Sequence, residues 1–158
     1  MRVLIMNLLD AITYEPKNPT YAIRIFPSSY PRLEGVASME EAIRKTPLKE
    51  SPLYGKANCY VFDDVWHGYL GGLKHEDVLF TQDMAKQIIE DFQSDRKGCE
   101  DLLVHCTLGK NRSPAVAIAL NELFNLGSDA NSLKNEYPET NWYVYRVMME
   151  VGQAARAR

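Results

Sequence analysis

Cysteine is scarce in this chain, with three residues at positions 59, 99 and 106. An odd, sparse set without Cys-x-x-Cys spacing excludes a disulfide framework and offers no zinc signature. It fits a reducing cytoplasm. Histidine is equally sparse, and nothing groups His67 or His75 with further ligands, so both read as solvated loop residues. No metal and no cofactor is expected. No apolar run approaches the roughly 18 residues of a membrane-spanning helix. The short apolar start, Val3-Leu4-Ile5-Met6, lacks the small-residue cleavage site of a signal peptide. Positive charge is not in excess either: 18 Lys and Arg face 21 Asp and Glu, a net −3. That balance argues against a general nucleic-acid or membrane-surface binder. Repeats and low-complexity stretches are absent.

What remains is an ordinary globular composition, 46% hydrophobic and 25% charged over 158 residues. It predicts one domain, residues 1–158, able to bury a core. Strands are predicted at 2–8, 21–26, 58–62 and 101–105, from apolar runs or alternation. Helices are predicted from the Ser38 capping box to about Lys45, over 82–94 behind Thr81, over 113–126, near 129–135, and over 141–155. Gly127 is placed at the C′ position that stops the 113–126 helix. Gly68, Gly71 and Gly72 mark a loop, as do the Pro- and Ser-rich residues 27–36. Strands alternating with helices give an α/β class: a central, mostly parallel twisted sheet flanked by helices.

The stretch that carries chemistry is Val104-His105-Cys106-Thr107-Leu108-Gly109-Lys110-Asn111-Arg112-Ser113-Pro114. A strand ends at a cysteine, a short turn follows, and a helix begins. Such a turn can aim several backbone N–H groups at one point and so form an anion site. Gly109 permits the positive φ that the curl needs. Arg112 adds a planar fork matched to two phosphate oxygens, and Lys110 adds positive potential. Thr107, Leu108, Gly109, Lys110, Asn111 and Arg112 are thus the phosphate-binding candidates. A thiol at the lip of this cradle should ionise easily and face a bound phosphorus as a nucleophile.

The stretch resembles the signature loop of the protein tyrosine phosphatase superfamily, in which His-Cys is followed by five residues, Arg, and Ser or Thr. His105, Cys106, Gly109, Arg112 and Ser113 match it. Pro114, Ala115 and the apolar helix look most like the compact dual-specificity branch, bacterial members included. The resemblance spans 55–150 and is strongest at 58–64 and 101–126. It implies that Cys106 forms a phosphocysteine and that Arg112 clamps the phosphate. It implies that Ser113 assists departure of the thiolate and that His105 orients the loop. It also implies an upstream Asp as general acid, needed to protonate the leaving oxygen. Asp64, at the end of the 58–62 strand, is chosen; Asp63 and Asp77 stay open, Asp77 because the spacing from Asp64 to Cys106 is long for a compact member.

The substrate implied is a phosphorylated one, foremost a phosphoprotein, with phosphotyrosine or dual specificity. RNA 5′-triphosphatase and phosphoinositide phosphatase activities of the same superfamily are the alternatives. A phosphate-binding module without turnover is the rival from another class; it would normally have lost the nucleophile. Trp66 beside the acid either closes over substrate or packs. Cys59 and Cys99 read as inert core residues, with a Cys59–Cys106 disulfide as the oxidised alternative. Oligomeric state is left open.

Overall fold

The computed structural model describes residues 1–66, 72–74 and 76–157. His67, Gly68, Gly71 and His75, named above as loop residues, lie outside the described residues. Four strands, β1 (Arg2–Met6), β2 (Thr20–Phe26), β3 (Tyr54–Val61) and β4 (Asp101–His105), pair in parallel in the order β1-β4-β2-β3. The chain is therefore an α/β protein. The helices are α1 (Leu8–Thr13), α2 (Tyr30–Leu33), α3 (Met39–Arg44), α4 (Gln82–Asp95), α5 (Arg112–Phe124), α6 (Ala130–Glu136) and α7 (Trp142–Arg156).

The two central strands, β2 and β4, are buried along their whole length, as strands covered on both faces must be. Alternation splits their side chains. Tyr21, Ile23, Ile25, Leu102 and Val104 join α4, α5 and α7 in the main core, with Phe92, Leu120 and Met148. Ala22 and Leu103 pack with Ala11 of α1, and Phe26 packs with Tyr30 and Ala42 of α2 and α3. The first helical layer is thick and apolar; the second is thin and built from short helices.

Several boundaries differ from those the sequence predicts. β1 stops at Met6, not at 8, because the Asn7 side chain accepts from the Asp10 N–H (2.7 Å) and starts α1. The α2 turn lies in a segment read as loop; its Pro31 sits in the first helical turn, where proline is tolerated. β3 begins at Tyr54, four residues early. It is an edge strand with exposed Lys56, so its first half lacks an apolar run. α5 starts at Arg112 and ends at Phe124. Asn125, with φ 50°, takes the left-handed position assigned to Gly127. The predicted caps at Ser38 and Thr81 accept backbone N–H bonds, and Asp129, not singled out from the sequence, does the same for α6.

Candidate active site

The carboxyl edge of the sheet gathers the ends of β2, β3 and β4, the place where open parallel sheets bind ligands. From β4 the chain passes through Cys106 and a tight turn into α5. Gly109 has φ 71°, and a Cβ there would come within 2.8 Å of the Met6 carbonyl carbon and 2.7 Å of the Asn7 nitrogen. Conformation and close approach both require glycine, which pins the turn against the β1–α1 junction. The Leu8 N–H donates to the Thr107 carbonyl (3.2 Å) at the same junction. Asn111 precedes α5 without a side-chain cap, so α5 begins with N–H groups that its N-cap side chain leaves unpaired.

Cys106 is buried, and its Sγ lies 3.3 Å from the donating Gly109 N–H and 3.1 Å from Ser113 Oγ. Burial opposes ionisation. The Ser113 hydroxyl and backbone, the Arg112 charge and the Gly109 N–H together outweigh it, and the thiol falls below its ordinary value. Arg112 is buried as well. Its Nη1 donates to the Phe62 carbonyl (2.9 Å) and its Nη2 to Thr107 Oγ1 (3.3 Å), while Nε is buried without a partner among the described residues. Arg112 thereby joins the signature turn to the end of β3. Leu108 and Lys110 point outward and are exposed.

His105 is fully buried on the thin side of the sheet, edge-on to Phe26. Its Nε2 accepts from Arg24 Nε at 2.9 Å. Nδ1 is therefore the protonated nitrogen of a neutral ring, and among the described residues no partner meets it in hydrogen-bonding geometry. Burial, then the charge of Arg24, push His105 down to about 3, against the Cys106 backbone; the Arg112 charge adds least. Arg24 also donates to the Thr46 carbonyl (2.6 Å) and lies over the Phe26 ring. All these partners are neutral, so a buried guanidinium stands directly beneath the cysteine-bearing strand end. Sequence reading missed Arg24. Its signal was a lone charge inside Tyr21-Ala22-Ile23-Arg24-Ile25-Phe26, a strand otherwise apolar.

The two neighbouring aspartates after β3 divide sharply. The Asp63 carboxylate is buried and accepts three bonds, from the Ser28 N–H (2.9 Å), Ser28 Oγ (2.6 Å) and the Val78 N–H (2.7 Å). It is a staple holding the strand end to two other segments. The Asp77 side chain closes its own turn by accepting from the Lys74 N–H at 2.7 Å. Asp64 instead lines a cavity of about 430 Å³ together with Trp66, Asn111, Asn141, Trp142 and Arg146. Its Oδ1 accepts from Asn141 Nδ2 at 2.9 Å. Of the turn's residues Asn111 lines this cavity with Asp64; Cys106 does not. Cys106 and Thr107 border a separate, smaller, apolar cavity of about 130 Å³ with Phe26, Pro27 and Tyr30.

The reading of Cys59 changes: it is exposed on edge strand β3, not in the core, whereas Cys99, partly exposed, packs against the main core. Cys59 pairs in register with Arg24, which pairs with His105. It therefore sits two strand spacings, about 10 Å, from the β4 end. That is beyond the Cα separation a disulfide spans, so the Cys59–Cys106 alternative would require the sheet to move. Among the described residues no three His, Cys, Asp or Glu side chains are grouped to hold a metal ion, and no helix is long and apolar enough to cross a membrane.

Comparison of the chain with protein-family models, with curated proteins and with solved structures found no significant match. The functional reading therefore rests on the residues and their geometry.

Proposed function

We propose that this protein hydrolyses phosphoesters through a phosphocysteine intermediate, as a protein tyrosine or dual-specificity phosphatase acting on phosphoproteins in the reducing cytoplasm. The observation that carries the reading is the environment of Cys106: a thiol below its ordinary pKa, held by the Gly109 N–H and Ser113 Oγ, inside a turn closed by a buried Arg112. Such an arrangement stores positive potential where a phosphate dianion would lie.

In the first step the Cys106 thiolate attacks phosphorus. The P–S bond forms, the P–O bond to the leaving group breaks, and the proton on Asp64 passes to the departing oxygen. Arg112 and the N–H groups of the turn hold the three remaining phosphoryl oxygens and favour their charge in the transition state. In the second step water attacks phosphorus, the Asp64 carboxylate takes its proton, and the P–S bond breaks. The Ser113 hydroxyl, 3.1 Å from Sγ, donates to the thiolate as it leaves. His105, neutral and held by Arg24, is buried at the end of β4 just before Cys106.

Turnover of p-nitrophenyl phosphate by the purified chain, in the presence of EDTA and with inhibition by vanadate, tests the reading. Turnover that is lost on thiol alkylation is the expected result. A chain that binds vanadate without hydrolysing the ester would be a phosphate-binding module instead.

A further inference from the structure

We infer that Asn141 is a positioning residue for the proposed general acid, clamping Asp64 to the signature turn; this rests on the reading of Asp64 given above. Asn141 lies just before α7 and is 4% exposed. Every polar atom it offers to this junction is engaged. Its Oδ1 accepts from the Val144 N–H (3.1 Å), which caps α7 and fixes which way the amide faces. Nδ2 is then left to donate, and it does so to Asp64 Oδ1 (2.9 Å) and to the Val65 carbonyl (3.3 Å). The backbone N–H of Asn141 donates to the Asn111 carbonyl in the signature turn (3.0 Å), and Asn111 Nδ2 returns a bond to the Glu139 carbonyl (2.7 Å).

One residue therefore ties three segments that are distant in sequence: the acid segment after β3, the turn after β4, and the start of α7. The geometry suits positioning rather than chemistry. An amide neither gives nor takes a proton at neutral pH, but it holds one carboxylate oxygen and leaves the other unbound by that contact. Because the same amide is anchored to α7, Asp64 is held at a fixed place beside the cavity it shares with Asn111. Displacing a catalytic group by about 1 Å costs roughly 100-fold in rate, so a clamp of this kind is worth as much as many direct contacts. A helix cap alone would need only the Oδ1 bond, which Ser or Thr can supply equally well. The two Nδ2 bonds are what those residues lack.

The test compares Asn141→Ser and Asn141→Thr with Asp64→Asn, on an alkyl phosphate and on p-nitrophenyl phosphate. Both Asn141 variants keep a hydroxyl to cap α7 and keep the backbone bond to Asn111; the second guards against one failing to fold. The expected result is a fall in kcat of about 10- to 100-fold on the alkyl ester, with a several-fold smaller loss on the aryl ester and KM nearly unchanged. Combining Asn141→Ser with Asp64→Asn should add little to the Asp64→Asn loss. Equal losses on both esters, or none, overturn the inference while leaving Asp64 in place if Asp64→Asn alone shows the split. Absence of the split in Asp64→Asn overturns the acid assignment and the clamp together.

Discussion

The turn from Cys106 to Asn111 and the segment from Phe62 to Val65 both leave the carboxyl end of a strand, yet they are held in opposite ways. The bonds around the turn's thiol are local, from Gly109 and Ser113 to Cys106 and from Arg112 to Thr107, while Met6, Leu8 and Asn141 brace the turn from outside. The acid segment is held from far away in sequence, by Ser28, Val78, Arg112 and Asn141. A cradle whose inner bonds are local can be rigid before substrate arrives. A segment tied by separate bonds can be tuned one bond at a time, and its two adjacent aspartates show it: Asp63 spends its carboxylate on structure, while Asp64 keeps one oxygen uncommitted to Asn141.

That contrast can be broken at four points. The largest effect is expected at Asp64. Asp64→Asn should slow hydrolysis of alkyl phosphates by about 10²–10⁴-fold and of aryl phosphates with acidic phenols far less. The leaving-group split should be missing from Asp77→Asn, whose side chain is occupied by the Lys74 turn. If Asp77→Asn shows the split and Asp64→Asn does not, the acid lies on the far side of the loop. Next comes Arg112→Lys, expected to cost about 10²–10³-fold on every ester alike, since an ammonium cannot reproduce the fork or the bond to Phe62. Steady-state rates on the two ester classes check both.

Asp63→Asn should act on stability instead. An amide offers one acceptor oxygen where the carboxylate serves three donors, so a loss of about 1–3 kcal/mol is expected in urea denaturation, with similar rates lost on both esters. The smallest effect concerns pH. His105 is held neutral in the fold at about 3, well below its unfolded value, so the unfolded chain binds a proton first as pH falls. Its contribution is therefore fully present above about pH 6.5 and drains away as pH falls toward 3, at up to about 1.4 kcal/mol per pH unit. Denaturation at pH 7 and pH 5 should show this slope in the parent and a flatter one in His105→Gln.

The same contrast explains what could be read from the sequence. The cradle was legible because its parts are contiguous, and strand-turn-helix order places them without any knowledge of the fold. A mostly parallel sheet was legible from strands alternating with helices, but the pairing of β2 with β4 was not. The acid segment was ambiguous because the residues that separate Asp63 from Asp64, Ser28 and Asn141, lie 35 and 77 positions away. Only the folded chain brings them in. Cys59 was misplaced because β3 looks apolar at its end yet lies at the sheet edge, a fact of strand order rather than composition. Short helices such as α1 and α2 escaped because one or two turns leave no periodicity to detect.

The central claim is that Cys106 carries the phosphoryl group between the two steps. Mixing the protein with excess p-nitrophenyl phosphate, quenching in acid within milliseconds and mapping the digest by mass spectrometry reads it directly. The account predicts a phosphate adduct on the peptide containing Cys106, formed as fast as the burst of p-nitrophenol, with both adduct and turnover absent from Cys106→Ser. Undiminished hydrolysis by Cys106→Ser, or turnover by the parent with the adduct on another residue, would contradict it.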